Sequence, residues 1–348
     1  MKRMSLLSAV FVCAAFAAGV AGAAVELPEP LSTPVYPTVR VYRDFAYGPR
    51  KDKPDEGPGC RSRWTTRERF LKGVLSNSHR TGQSFDVYLP CPKEQLKGDE
   101  PVFVYVHGGG WHDVWDKDSA QELFCFLASR TGYVVVSMNY ILLPEDLRRA
   151  KVGEVTFVDM LRDIDLLDSH LATFLPEAFG VKASKIAIGG ESAGGHLSSL
   201  YAYDGANPEL LGLGLAHRLP IGFELNIVGA TDLTAPRLAD AMRPFGDMPL
   251  LKRFSPVNMI TPKTPPTLLC YSSSRPGAPD DGCIPVSTFT LSTNRLAKAG
   301  VDYAAHFEPA AMHAEVLGPK YPAAREFYVR MFRDWAPRLR GNSGAGAH

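Results

Sequence analysis

The chain has 348 residues, 45% of them hydrophobic, with 38 basic and 37 acidic side chains. That is ample apolar material for one large α/β domain, or two at most. A net charge of +1 gives no electrostatic case for nucleic acid or for an anionic membrane as partner.

Residues 1–23 read as a signal peptide rather than as fold. Lys2 and Arg3 form a basic start, Leu6 to Val20 an apolar stretch, and Ala21-Gly22-Ala23 a cleavage signal. The apolar stretch is short for a membrane-spanning helix, and Cys13 lacks the small residues that precede a lipidated cysteine. The mature chain is therefore expected to begin near Ala24, to be secreted or periplasmic, and to have no membrane attachment after cleavage. It would keep 36 basic and 37 acidic residues and five cysteines. An odd number in an oxidising compartment leaves at least one free or bridged between chains. Cys125 lies in an apolar run and is expected to be a buried thiol, while Cys60 with Cys91 and Cys270 with Cys283 are candidate pairs.

Residues 24–64, rich in proline, glycine and charge, read as an N-terminal arm whose alternating Val39–Phe45 would be an edge strand. The main domain is expected over 65–340. Ser84–Leu89 alternates apolar with polar and meets Pro90, as an exposed antiparallel strand would. A different rhythm follows. Val102–Val106, Tyr133–Met138, Lys185–Ile188, Phe223–Val228, Thr267–Tyr271 and Val301–Phe307 are short, mostly apolar runs, as in strands buried on both faces of a parallel sheet. Helical stretches lie between them, near 118–131, 156–175, 193–203, 286–299 and 325–337. In the second, Phe157, Leu161, Ile164, Leu167, Leu171 and Phe174 recur at spacings of three and four. Alternating strands and helices predict an α/β fold with a mostly parallel, doubly wound sheet and helices on both faces. Residues 204–222 and 234–264 are excursions that would make a small lid or surface loops. Residues 341–348 are small and polar, a tail expected to be disordered.

The chemical motifs fall at the carboxyl ends of these strands, where such sheets bind ligands. Gly190-Glu191-Ser192-Ala193-Gly194 stands between a predicted strand and a predicted helix. A sharp turn there would lift the serine hydroxyl out of the sheet edge and leave the Ala193 amide at a helix N-terminus. Strand 102–106 runs directly into His107-Gly108-Gly109-Gly110-Trp111, whose glycines let backbone amides face a site without obstruction. A phosphate loop would need Gly-Lys-Ser/Thr or G-x-G-x-x-G, and neither is present. A serine needs a base, and the base needs a carboxylate to orient it. His313, past the last strand, is the best base. Asp280 and Asp281 compete for the acid, with Asp281, four residues before Pro285, favoured. His107, His196 and His306 are expected to be structural, and Asp232 to be a helix cap. The sequence has no HExxH, clustered Cys/His or EF-hand pattern, so no metal is expected.

His107-Gly-Gly-Gly-Trp111 with Gly189-Gly-Glu-Ser-Ala-Gly-Gly-His196 resembles the α/β-hydrolase superfamily, in particular secreted esterases similar to hormone-sensitive lipase and to bacterial acetylxylan and feruloyl esterases. Asp86-Val-Tyr-Leu-Pro90, Val136-Ser-Met-Asn-Tyr140 with Pro144-Glu145, and Pro265–Leu269 extend the likeness over roughly 84–335. The resemblance implies Ser192 as nucleophile, Asp281 as acid, His313 as base, and Gly108, Gly109 and Ala193 as oxyanion donors. Trp111 and Glu191 are the candidate substrate contacts; Trp111 and Trp115 could line an acyl or sugar pocket or equally pack under the glycine loop. It implies a serine hydrolase that needs no cofactor and takes small or polysaccharide-linked carboxylic esters. A peptidase or amidase on the same fold, or a binding protein without activity, is the alternative. The chain departs from the family in an elongated acid loop after Tyr271, in Ala311-Met312 before His313, and in Ile141 after Asn139-Tyr140.

Overall fold

Nine strands form one sheet in the computed structural model, which describes residues 25–49, 82–112, 116–143, 153, 155–239 and 242–340. They are β1 (Leu31–Thr33), β2 (Tyr36–Ala46), β3 (Ser84–Leu89), β4 (Val102–Val106), β5 (Val134–Met138), β6 (Ile186–Glu191), β7 (Ile221–Ile227), β8 (Thr267–Ser272) and β9 (Tyr303–Glu308). Their order across the sheet is β1-β2-β3-β5-β4-β6-β7-β8-β9. The first three run antiparallel to their neighbours, and the six from β5 to β9 are mutually parallel. The predicted signal segment, Cys60, Trp115, Pro144-Glu145 and the tail 341–348 lie outside the described residues.

Burial on both sheet faces explains the apolar runs: β4, β5, β6 and β8 are buried at every position. Five long helices supply the cover: α1 (Gln121–Thr131), α2 (Phe157–Phe179), α3 (Ala193–Ala206), α4 (Val286–Ala299) and α5 (Pro322–Trp335). One apolar cluster joins one sheet face to α2 and α3, and the other joins the opposite face to α1 and α5. α2 begins in a capping box, with Thr156 accepting from the Asp159 amide and Asp159 accepting from the Thr156 amide. It runs four residues beyond the predicted 175, because Leu175, Ala178 and Phe179 continue the buried stripe past Pro176.

Ser84–Leu89 departs from expectation: all six residues are buried. β2 covers its outer edge, and its polar member faces an internal ion cluster instead of water. Asp86 lies 2.7 Å from Lys117 Nζ and 3.3 Å from Arg43 Nε, and accepts the Asp44 amide at 2.8 Å. β1 and β2, in the described part of the predicted arm, belong to the same sheet as the strands that lead into the glycine loop and the serine turn. The 234–264 excursion forms short helical turns whose Phe245 stacks on Phe157 at 4.0 Å.

Cys270 and Cys283 form no disulfide. Cys270 is buried in β8 with the Tyr328 hydroxyl 3.1 Å from its sulfur, whereas Cys283 lies on an exposed loop. Cys125 is a buried thiol, pushed up to about 12 by desolvation first and the Glu122 carboxylate second.

Candidate active site

The strand order changes direction between β4 and β6, which are neighbours in space with Val106 opposite Gly190. The glycine loop leaves one of these strands and the serine turn leaves the other, so both open into the same crevice. Ser192 sits between β6 and α3 at φ 55°, ψ −120°, a left-handed conformation that L-residues adopt at a cost. Two bonds hold it there. The Ser192 amide donates to the Ile227 carbonyl at 2.9 Å, and its carbonyl accepts the His196 amide at 3.0 Å.

His313 follows β9, and its Nε2 lies 2.8 Å from Ser192 Oγ. Its Nδ1 lies 2.8 Å from Asp281 Oδ2, and its amide donates to the Asp281 carbonyl at 2.8 Å. Asp281 is fully buried, and its other oxygen accepts the Cys283 and Ile284 amides at 2.9 and 2.7 Å. The carboxylate is thus oriented from both sides. It draws the imidazole proton to Nδ1 and leaves the Nε2 lone pair facing the hydroxyl. Asp280 instead accepts the Gly282 amide at 2.9 Å, a local turn contact.

The glycine loop runs beside this line. Gly109, Gly110 and Trp111 take φ values of 104°, 66° and 63°. The loop is pinned by the Tyr140 hydroxyl on the His107 carbonyl at 2.9 Å and by the Leu143 amide on the Trp111 carbonyl at 2.8 Å. Ala193 opens α3, so its amide has no carbonyl four residues back within the helix. An acyl carbonyl placed at Ser192 would therefore meet a hydroxyl, a base and unspent backbone donors.

The structure places Trp111 and Glu191 behind the site rather than in it: they are 4% and 3% exposed. Glu191 accepts the Tyr105 hydroxyl. Trp111 packs against Phe157 and Phe245, and its Nε1 donates to His196 Nδ1 at 3.2 Å. His196 completes the chain by donating from Nε2 to the Phe254 carbonyl at 2.8 Å. Burial pushes both His196 and His107 down to about 4, so each is neutral at pH 7. His306 stacks on Phe327 at 5.7 Å, within the strand as expected.

Two supporting residues escaped the sequence reading. Asn226 donates to the Gly195 carbonyl and to Ser199 Oγ, and accepts the Gly229 amide. Glu224, fully buried in β7, accepts the Ser198 and Ser199 hydroxyls at 3.2 and 2.9 Å. Their signal was present as two polar residues inside Phe223-Glu-Leu-Asn-Ile-Val228. They tie the serine-bearing helix to the sheet.

Desolvation pushes the Glu224 carboxyl up to about 8, the two serine hydroxyls opposing it. The folded protein then holds a proton that the unfolded chain releases near pH 4.5. Stability from this group is complete below that pH and falls as pH rises, by about 1.4 kcal/mol per unit, until the folded group ionises. Glu224→Gln has no proton to lose. Its stability relative to the parent is expected to climb by about 3 kcal/mol between pH 4.5 and pH 7 in urea melts. A difference that stays flat over that range would mean the buried carboxyl is ionised throughout.

Comparisons with known proteins agree with this architecture. Esterase B from Lactobacillus rhamnosis superposes with a TM-score of 0.63 at 18% identity, covering 88% of this chain and 89% of that one. An acetyl ester-xyloside bifunctional hydrolase from Caldicellulosiruptor lactoaceticus gives 0.56 at 20% identity, over 73% and 87%. The fold is that of the α/β-hydrolases. In sequence, the chain is 28% identical over 270 residues to a probable carboxylic ester hydrolase, LipM, of Mycobacterium tuberculosis, covering 69% of this chain and 56% of that protein. It is 33% identical over 119 residues to the tuliposide A-converting enzyme b1 of Tulipa gesneriana, over 33% and 30%. The match spans between 30% and 56% of the length of these curated relatives. A family model described as BD-FAE matches residues 85–280, a stretch that carries the glycine loop, the serine turn and most of the sheet between them. With more than half of its length matched in this way, the chain belongs to the BD-FAE family.

Proposed function

We propose that this protein is a serine esterase that hydrolyses carboxylic esters through an acyl-enzyme. One observation carries the reading: the unbroken line from Asp281 to His313 to Ser192, with both side-chain contacts at 2.8 Å. His313 Nε2 takes the serine proton as Oγ attacks the ester carbonyl. The amides of Gly108, Gly109 and Ala193 hold the oxyanion of the tetrahedral intermediate. His313 returns the proton to the departing alkoxide, and the alcohol leaves. Water, deprotonated by the same imidazole, then releases the acid and restores the serine.

The proposed substrates are short acyl or aromatic esters, such as acetyl or feruloyl groups on plant polysaccharide. Membership of the BD-FAE family supports this, as does the fold shared with an acetyl ester-xyloside hydrolase. The expected signal peptide at 1–23 supports export, where polysaccharide would be met.

A fluorophosphonate tests the nucleophile directly. Ser192 Oγ should bond to phosphorus with loss of fluoride, and peptide mass mapping should find the adduct on that residue alone. Hydrolysis of p-nitrophenyl acetate should disappear in step with labelling. An adduct elsewhere, or full activity after labelling, would refute the mechanism. Release of acetate or ferulate from acetylated and feruloylated xylan tests the substrate class separately.

A further inference from the structure

A second cavity lies at the opposite edge of the sheet from Ser192, where β6, β7 and β8 begin. Its volume is about 560 Å³. Lys185, Lys263, Arg338, Arg340 and His217 line it, and none of its described lining residues is acidic. We propose that this cavity is an anion-binding site, separate from the Ser192 centre, that takes a small ligand bearing a carboxylate or phosphate group.

The cavity is built rather than incidental. Pro220, Pro265, Pro266 and Pro337 contribute to its wall, so backbone freedom is low before anything binds. His217 is fixed from three sides. Its Nε2 lies 3.1 Å from Asp204 Oδ2, its ring packs on Tyr201 at 4.4 Å, and its amide donates to Asp165 at 2.9 Å. The other ring nitrogen, Nδ1, is buried without a hydrogen-bond partner. It faces Gly205 across the wall, close enough that a Cβ there would sit 2.9 Å away.

The permanent cations of the lining are only loosely paired. α3 ends at this wall; the negative end of its dipole, about half an elementary charge, and the Asp204 and Asp165 carboxylates bonded to His217 stand beside four permanent positive charges. Three of the four have acidic neighbours outside the lining: Arg338 meets Asp302, Lys263 lies 3.8 Å from Glu209, and Arg340 lies 3.8 Å from Asp99. These acids are 57%, 70% and 65% exposed. Exposed pairs of this kind contribute little to stability, so an anion in the cavity displaces them at little cost.

Calorimetric titration tests the site with sodium phosphate and sodium D-glucuronate as anionic probes and D-glucose as the neutral control. Saturable binding with a Kd of about 1 mM or tighter is expected for at least one anion, and none for glucose. Phosphate alone would mark the ligand as phosphorylated, and glucuronate alone as a sugar acid. Lys185→Glu with Arg340→Glu should weaken binding at least tenfold while p-nitrophenyl acetate hydrolysis continues at the parent rate. Should that variant not fold, the parent's own salt dependence decides: affinity should drop several-fold between about 0.05 and 0.5 M NaCl, as screening of partly exposed cations requires. Binding that ignores salt and charge reversal, equal binding of glucose, or no binding by either anion would overturn the proposal.

Discussion

Asp281→Asn is expected to lower kcat/KM for p-nitrophenyl acetate by about 10³–10⁴-fold, with little change in thermal stability. The size follows from which way the amide must face. Asp281 Oδ1 accepts the Cys283 and Ile284 amides, so the carbonyl oxygen of asparagine has to occupy that position. Its NH2 then points at His313 Nδ1, where Oδ2 accepts in the parent. A donor there selects the tautomer with its proton on Nε2, the nitrogen that faces Ser192 Oγ at 2.8 Å. The serine loses its base while every heavy atom stays in place. Flipping the amide would set two backbone N–H groups against an NH2, so no rotamer rescues it. Asp280→Asn, by contrast, leaves the Asp281–His313 contact in place and should change kcat/KM by less than about threefold. Steady-state kinetics on the two variants separates the acids. A Asp281→Asn enzyme within tenfold of the parent, or a more damaging Asp280→Asn, would reassign the role.

The parallel strands were legible in the sequence because burial on both faces leaves no polar alternation: Val102–Val106 was read to the residue. Long-range pairing was not legible. Asp86 gave β3 the pattern of a strand facing water, and only the folded chain brings Lys117 and Arg43 to it. Cys270 and Cys283 looked pairable by spacing, but one is walled into β8 and the other is on a loop. In the site, the serine turn and the glycine loop announced themselves because tight backbone geometry demands particular residues. Trp111 and Glu191 did not reveal their positions, since an aromatic ring and a carboxylate beside a reactive serine read equally well as lining or as support. Their burial depends on Phe157, Phe245, His196 and Tyr105, which come from four distant stretches of chain.

Gly194→Ala should be the most damaging single methyl group in the molecule. The Gly194 Cα passes so close to the end of β4 that a Cβ would lie 2.0 Å from the Val106 carbonyl oxygen and 2.5 Å from that of His107. Both obstacles are backbone, so no side chain can swing aside. Restoring van der Waals distance means moving the first turn of α3 and the start of the glycine loop apart by about 1 Å, and a displacement of that size is enough to cost about 10²-fold in rate. It would separate the Ala193 amide from those of Gly108 and Gly109, the donors proposed to converge on one oxygen. A Tm lowered by many degrees, kcat reduced at least 10²-fold and slowed fluorophosphonate labelling should appear together. Gly214→Ala is the control, because Gly214 has φ 66° with nothing within 4 Å of a Cβ. There the change should cost about 1–2 kcal/mol of stability from backbone conformation alone and leave kcat untouched. If the two variants behave alike, contact between α3 and the end of β4 is not what sets the site's geometry.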